Sequence, residues 1–163
     1  MSFSMDLKQE LLNQKVWDSK SSMKQVEQID RICVREAFIE KGFINDPNKS
    51  YHLEILLKTN EKAQEIKEIL RKYYINSKII IKNKQYMIYI KDGEEISKFL
   101  AFVGAAKSVM RFEEIRVERY MNNKDFVEYL KQRLFIELKK QTASMFDTGS
   151  ARKNTSVIEY VYK

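Results

Sequence analysis

The chain has 163 residues, 44% of them hydrophobic, with 4 Gly and 1 Pro: enough for a compact domain with terminal extensions, too little Gly and Pro for a long disordered linker or a many-turned all-β fold. One cysteine (Cys33) and one histidine (His52) exclude an intrachain disulfide and a zinc site of ordinary ligand count, and fit a reducing cytosol. Lys and Arg number 30 against 23 Asp and Glu, and the net charge of +7 favours phosphate backbones and other anionic surfaces.

In chain order, Met1 to Lys15 carries Asp6, Lys8, Glu10 and Lys15 and so lacks the apolar core of a signal peptide. No apolar run approaches the roughly 20 residues that cross a bilayer. A soluble, cytoplasmic protein with no membrane partner is expected. Ser4 can cap a short helix with Leu7 and Leu11 on one face, and Asp18 to Ser22 is polar and predicts a loop. The spacing of Val26, Ile29, Cys33 and Ala37, flanked by Ile32, Val34 and Phe38, predicts a helix over 23–41 with that stripe inward. Gly42 stands where a left-handed C-terminal cap would fall. Residues 43–45 predict a short strand turned by Asp46-Pro47-Asn48, and 51–58 alternate as a strand. Asn60 starts a helix with Ala63, Ile66, Leu70 and Tyr73 at helical spacing. Strands follow at 78–82 and 85–91 around Asn83-Lys84, then helices at 94–103, 106–121 and 125–141. The stretch 142–156 is polar and predicted mobile, and 157–162 could add a strand.

This order predicts an α+β fold, a four-stranded antiparallel sheet with helices on one face. Three segments result: an N-terminal helix and loop (1–22), a central α+β domain (23–123), and a C-terminal helix with tail (124–163). One sheet face, with Tyr51, Leu53, Ile55, Ile79, Ile81, Tyr86, Ile88 and Ile90, is expected to meet the helices. The other carries His52, Glu54, Lys58, Lys78, Lys82, Gln85, Tyr89 and Lys91, with Lys84 in the turn between strands. In a sheet with strands about 4.8 Å apart these predict one contiguous basic patch. A β-sheet can straddle a groove of duplex DNA, although lysines on open sheets also serve to prevent strand-to-strand aggregation. Cys33 is expected to be a buried small hydrophobe, His52 a surface residue without a catalytic partner, and Trp17 a gap filler or interface residue. No catalytic triad, phosphate-binding glycine loop or metal-ligand cluster is visible, and no cofactor is expected.

The segment Cys33 to Pro47 followed by Tyr51-His52-Leu53-Glu54-Ile55 resembles the LAGLIDADG-derived helix and hairpin of the WhiA regulators. Tyr89 to Glu94, Phe99 to Ala105, Phe112 to Val117 and Met121-Asn122-Asn123 continue the likeness in register, and the opening Ser2-Phe3-Ser4 and Lys8 to Leu11 resemble that family's N-terminus. Together these segments cover roughly residues 1–15 and 30–123. The resemblance implies an αββαββα fold of the LAGLIDADG endonuclease type and a DNA-binding regulator linked to sporulation and cell division. Full-length members carry two tandem LAGLIDADG-like halves and a helix-turn-helix domain. Here the likeness passes from the N-terminal segment almost directly to the second half, and residues 124–163 share little with the family.

The motif helix implied by the resemblance includes Val34, Glu36, Ala37, Phe38, Glu40, Lys41 and Gly42. In active LAGLIDADG nucleases its last acidic residue holds the divalent metal that activates water. That position is Lys41 here, which repels a metal ion, while Glu40 points about 100° away around the helix. Glu36 replaces the small Gly at which two motif helices approach, so a homodimer across this helix is not expected. The resulting expectation is a non-enzymatic, transcription-regulatory domain binding duplex DNA weakly and without sequence preference. The alternative is a protein-interaction module that keeps a degenerate LAGLIDADG fold and binds a protein partner instead.

Overall fold

The computed structural model describes residues 2–14 and 24–147. Trp17, the predicted loop at 18–22, the tail beyond 147 and the predicted strand at 157–162 lie outside the described residues. The chain divides into two compact units, Met1–Arg116 and Val117–Lys163.

The first unit begins with α1 (Phe3–Asn13), whose N-cap is Ser2, the side chain accepting from the Met5 amide. Ser4, expected to be the cap, is instead buried inside the first turn, where its hydroxyl accepts from Ile44 N at 3.4 Å. There follow α2 (Gln25–Lys41), β1 (Gly42–Ile44), β2 (Leu53–Leu57), α3 (Asn60–Lys72), β3 (Lys78–Lys82), β4 (Gln85–Ile90), α4 (Gly93–Phe102) and the start of α5 (Ala106–Asn122). The N-cap of α3 is Thr59 rather than Asn60, and Asp92 caps α4 by accepting from the Glu94 and Glu95 amides. Gly104 ends the α4 segment with φ +81, as a glycine there requires.

The four strands form one antiparallel sheet in the order β1-β2-β4-β3. Leu53, Ile55, Leu57, Ile88 and Ile90 are buried on one face against Val34, Ala37 and Phe38 of α2, Ala63, Ile66 and Leu70 of α3, and Ile96, Phe99 and Leu100 of α4. This is the predicted α+β architecture of the LAGLIDADG type. Phe38 and Phe99 meet at its centre with ring centroids 5.6 Å apart. Of the predicted core face, Ile81 is the exception: at the end of the edge strand β3 it stays 71% exposed, beyond the cover of the helices.

The inward stripe of α2 is a correction. Val26 and Ile29 are exposed and Cys33 is only partly buried, while Val34, Arg35, Ala37 and Phe38 form the buried face. Periodicity alone could not choose between two overlapping stripes, and it excluded the residue that decides the matter. Arg35 is buried because its head reaches the C-terminal end of α1, donating Nη2 to the Leu11 carbonyl at 2.7 Å and Nη1 to Gln14 Oε1 at 3.3 Å. Gln14 in turn donates to the Gly104 carbonyl at 2.7 Å. The positive guanidinium thus sits at the negative end of a helix. Burial, then the neighbouring Arg31, lowers its pKa from the usual arginine value. Arg35→Ala is expected to destabilise the protein by about 2 kcal/mol, the loss of a charged hydrogen bond with its acceptor left buried. Arg35→Met, which keeps the packing, should lose less; equal unfolding midpoints for Arg35→Ala and the parent in urea would contradict this.

Two further ties were not visible in the sequence. Glu10 caps α5 from a distance of almost a hundred residues, accepting from Lys107 N at 2.8 Å, Ser108 N at 2.9 Å and Ser108 Oγ at 2.6 Å. Asp30 joins α2 to α3 through Lys72 Nζ and the Tyr73 hydroxyl, each at 2.7 Å. Burial raises the Asp30 pKa, but these hydrogen bonds outweigh it and hold the carboxyl below its ordinary value.

In the second unit α6 spans Lys124–Asp147, longer than the predicted 125–141. The first residues of the polar stretch at 142–156 therefore continue a helix. The Tyr120 and Phe126 rings meet at a tilt of 50° with centroids 4.1 Å apart, and Leu130, Leu134 and Ile136 are exposed along α6.

Candidate nucleic-acid interface

Register decides which side chains share the open face of the sheet. Phe43 pairs with Glu54, Glu54 with Tyr89, and Tyr89 with Lys78, so these form one row across the strands. The next row is Leu56, Met87 and Ile80, and the third is Gln85 with Lys82. By the same alternation Lys58 continues the open face just past β2, and Lys91 just past β4. All the predicted face residues therefore belong to the open side, with Lys84 at the tip of the β3–β4 turn.

The contiguous basic patch is corrected in one respect. The row Leu56–Met87–Ile80 runs between the lysines, so Lys78 and Lys82 of β3 stand four residues, or roughly 13 Å, apart. One basic group sits at the hairpin end (Lys58, Lys82, Lys84), the other at the opposite end (Lys78, Lys91). Strand alternation named the charged and polar residues of this face but did not follow the row from Leu56 across to Met87 and Ile80. Phe43, 46% exposed on β1, was not singled out either.

The end with Lys78 is ordered by side-chain contacts. His52 has a partner after all, Glu54 Oε2 at 2.8 Å from Nε2, and its ring lies nearly parallel to Tyr89 at 6.4 Å between centroids. The Lys91 ammonium is 5.6 Å from the Tyr89 ring centroid, a cation–π distance. At the other end Asn83 and Lys84 both have positive φ, 51° and 61°, the geometry that lets a two-residue loop follow the strand twist. Lysine is a strained choice where Gly would fit more easily.

The hairpin end adjoins a pocket of about 370 Å³. Strand β1 is only three residues long and pairs with β2 no further than Ile55, so the far edge of β2 is uncovered beside the last turns of α2. Glu36, Ala37, Glu40 and Lys41 of α2 line this pocket together with Lys58 and Gln85. The structure thus brings most of the predicted motif-helix residues next to two of the predicted face residues. Val34 and Phe38 are instead core, and Gly42 opens β1. Lys62 also lines the pocket, but its ammonium is engaged by Glu65 Oε2 at 2.9 Å and approaches Cys33 Sγ at 3.5 Å. Burial, more than Lys62 opposes it, raises the Cys33 pKa, so the thiol stays protonated. Among the described residues no group of His, Cys, Asp and Glu side chains is placed to hold a metal ion. The sole sequence trace of the pocket is spacing: Cys33, Glu36 and Glu40 fall on one helix side at i, i+3 and i+7.

Residues 30–122 match the family described as the WhiA LAGLIDADG-like domain, more than half of the chain. The chain belongs to the WhiA LAGLIDADG-like family. Among curated relatives, "Probable cell division protein WhiA" of Clostridium botulinum (strain Eklund 17B / Type B) is 38% identical over 102 residues, covering 63% of this chain and 32% of that protein. The protein of the same description from Ruminiclostridium cellulolyticum is 39% identical over 100 residues, covering 58% and 32%. The chain therefore spans about a third of the length of these WhiA relatives. The crystal structure of full-length DUF199/WhiA from Thermatoga maritima superposes with a TM-score of 0.56 over 72% of this chain and 42% of that one, at 24% identity, a likeness of fold. Within the WhiA-like domain, Glu36 and Lys41, the motif-helix positions where the sequence departs from the nuclease pattern, both face the pocket beside β2. No described helix is long and apolar enough to cross a membrane.

Proposed function

We propose that this WhiA-family chain is a non-enzymatic DNA-binding domain with a regulatory role, using the open sheet face on duplex DNA at the nucleoid. The observation that carries the reading is the disposition of charge on that face. Lys58, Lys78, Lys82, Lys84 and Lys91 project around it, and its one carboxylate within the strands, Glu54, is already occupied by His52. Gln85 and Tyr89 add neutral donors between the cations. A lysine at the strained tip of the β3–β4 turn, where glycine would cost less, also favours a role for its charge. Contacts of this kind neutralise phosphates and so set affinity without reading sequence.

The test is a gel shift with genomic fragments at low and moderate salt. Binding that falls steeply with salt and differs little among fragments is the expected result. No binding at either salt would remove this reading in favour of the protein-interaction module, for which the exposed Val26 and Ile29 of α2 and Leu130 and Leu134 of α6 offer apolar surface.

The absence of catalysis rests on Lys41. A cation at the pocket end of α2 disfavours a divalent metal beside Glu36 and Glu40, and phosphodiester cleavage by this fold depends on that metal. The purified protein is expected to leave supercoiled plasmid uncut with Mg²⁺ or Mn²⁺. Metal-dependent nicking that persists through repurification and disappears in Glu40→Gln would refute it.

A further inference from the structure

The open face has a feature that electrostatic attraction to a duplex does not use. Its cations lie toward the two ends, and aromatic and apolar side chains lie beside and between them: Phe43, 46% exposed on β1, and Tyr89 on β4 share the row that ends in Lys78, and Ile80, 39% exposed on β3, stands in the next row. Phe43 and Tyr89 belong to one row, two strand spacings or about 10 Å apart. Met87, in the next row, is only 5% exposed, so the accessible apolar surface is made by the edge-strand side chains with the partly exposed Tyr89 and Leu56.

We propose that this face takes unpaired nucleic-acid strands, with bases lying against Phe43, Tyr89 and Ile80 and phosphates held by the lysines. The inference rests on the basic-face reading above and names the form of nucleic acid that the face fits best. A duplex turns phosphates, sugars and base edges outward and hides the base faces in its own stack. An unpaired strand offers those faces, and each base has one, so aromatic and apolar side chains can hold it whatever its sequence. The charge pattern agrees. Lys78 and Lys91 at one end and Lys58 and Lys82 at the other attract phosphate, and the row of Leu56, Met87 and Ile80 between them offers it no cation. The backbone is thereby directed to the periphery and the bases inward. The Tyr89 ring lies nearly parallel to His52, and the flexible Lys91 side chain, whose ammonium approaches that ring, must swing toward a phosphate for a base to lie there.

The experiment measures fluorescence anisotropy of the full chain with a labelled dT oligonucleotide and a labelled mixed-sequence duplex of equal length, at low and moderate salt. The oligonucleotide is expected to bind more tightly than the duplex. Phe43→Ala and Tyr89→Ala should each weaken it about tenfold, the scale of one lost base stack, and Phe43→Ala, at a residue with no part in the duplex reading, should leave duplex affinity within about twofold. Phe43 is an exposed residue, so its variant should fold, and circular dichroism checks that it does. Tighter duplex binding, or oligonucleotide binding indifferent to Phe43→Ala, overturns the proposal and leaves the duplex reading standing. Binding of neither probe overturns both, and gives the face to a protein partner.

Discussion

Gly42→Ala is expected to destabilise the protein by about 3 kcal/mol, the upper part of the range for overpacking a core, and to lower its melting temperature by roughly 10 °C. A Cβ at this position would lie 2.3 Å from Phe38 Cδ2, 2.5 Å from the Phe38 carbonyl oxygen and 2.6 Å from Phe38 Cγ. Part of that contact is backbone, which cannot move aside. The rest belongs to a fully buried ring that packs on Phe99 at the centre of the core. The reason for glycine is thus proximity and not handedness. With φ −85 and ψ 153 the residue is extended, and any side chain could adopt that backbone. The expected left-handed cap is corrected accordingly: the chain leaves α2 and enters β1 without a loop, and the abrupt change brings residue 42 down onto residue 38. Thermal unfolding followed by circular dichroism checks the prediction. A melting temperature for Gly42→Ala within a degree or two of the parent would show that the α2–β1 junction can open without loss.

How far the sequence reaches is visible in the same junction. The order of elements was legible because each strand and helix carries its own periodicity and because turn residues separate them. The buried face of α3 was legible because Ala63, Ile66 and Leu70 meet no competing stripe. The face of α2 was not, since a charged residue, Arg35, occupies it by virtue of a partner in α1 that no local pattern could reveal. Glu10 and Ser108 are a like case, a helix cap made across the fold. For the candidate site, strand alternation correctly assigned the lysines and Tyr89 to the open side. What it could not supply was the register between strands, and register is what places Leu56, Met87 and Ile80 between the two basic groups and Phe43 beside Tyr89. The pocket by Lys41 depended on the shortness of β1, which exposes the edge of β2 and is a property of the pairing.

Reversing two charges on β3, Lys78→Glu with Lys82→Glu, is expected to lower affinity for every duplex tested by roughly 100-fold at low salt and to reduce the slope of log affinity against log salt by about 2. The slope is the more diagnostic quantity. Each phosphate contact releases close to one counterion, so losing two contacts subtracts a nearly fixed amount whatever the sequence of the DNA. The two lysines flank Ile80 on an edge strand, both are exposed, and neither shares an ion pair with a described carboxylate, so the substitutions disturb no packing. Stability should change by no more than about 0.5 kcal/mol. Because the pair spans both basic groups of the face, one at the Tyr89 row and one at the Gln85 row, the variant tests the face as a whole and not one end of it. A folded double variant that binds duplex DNA as tightly as the parent, with the same salt slope, would move the DNA surface elsewhere on the chain. A loss confined to some duplexes and absent in others would instead mean that these lysines approach base edges, and that the face reads sequence after all.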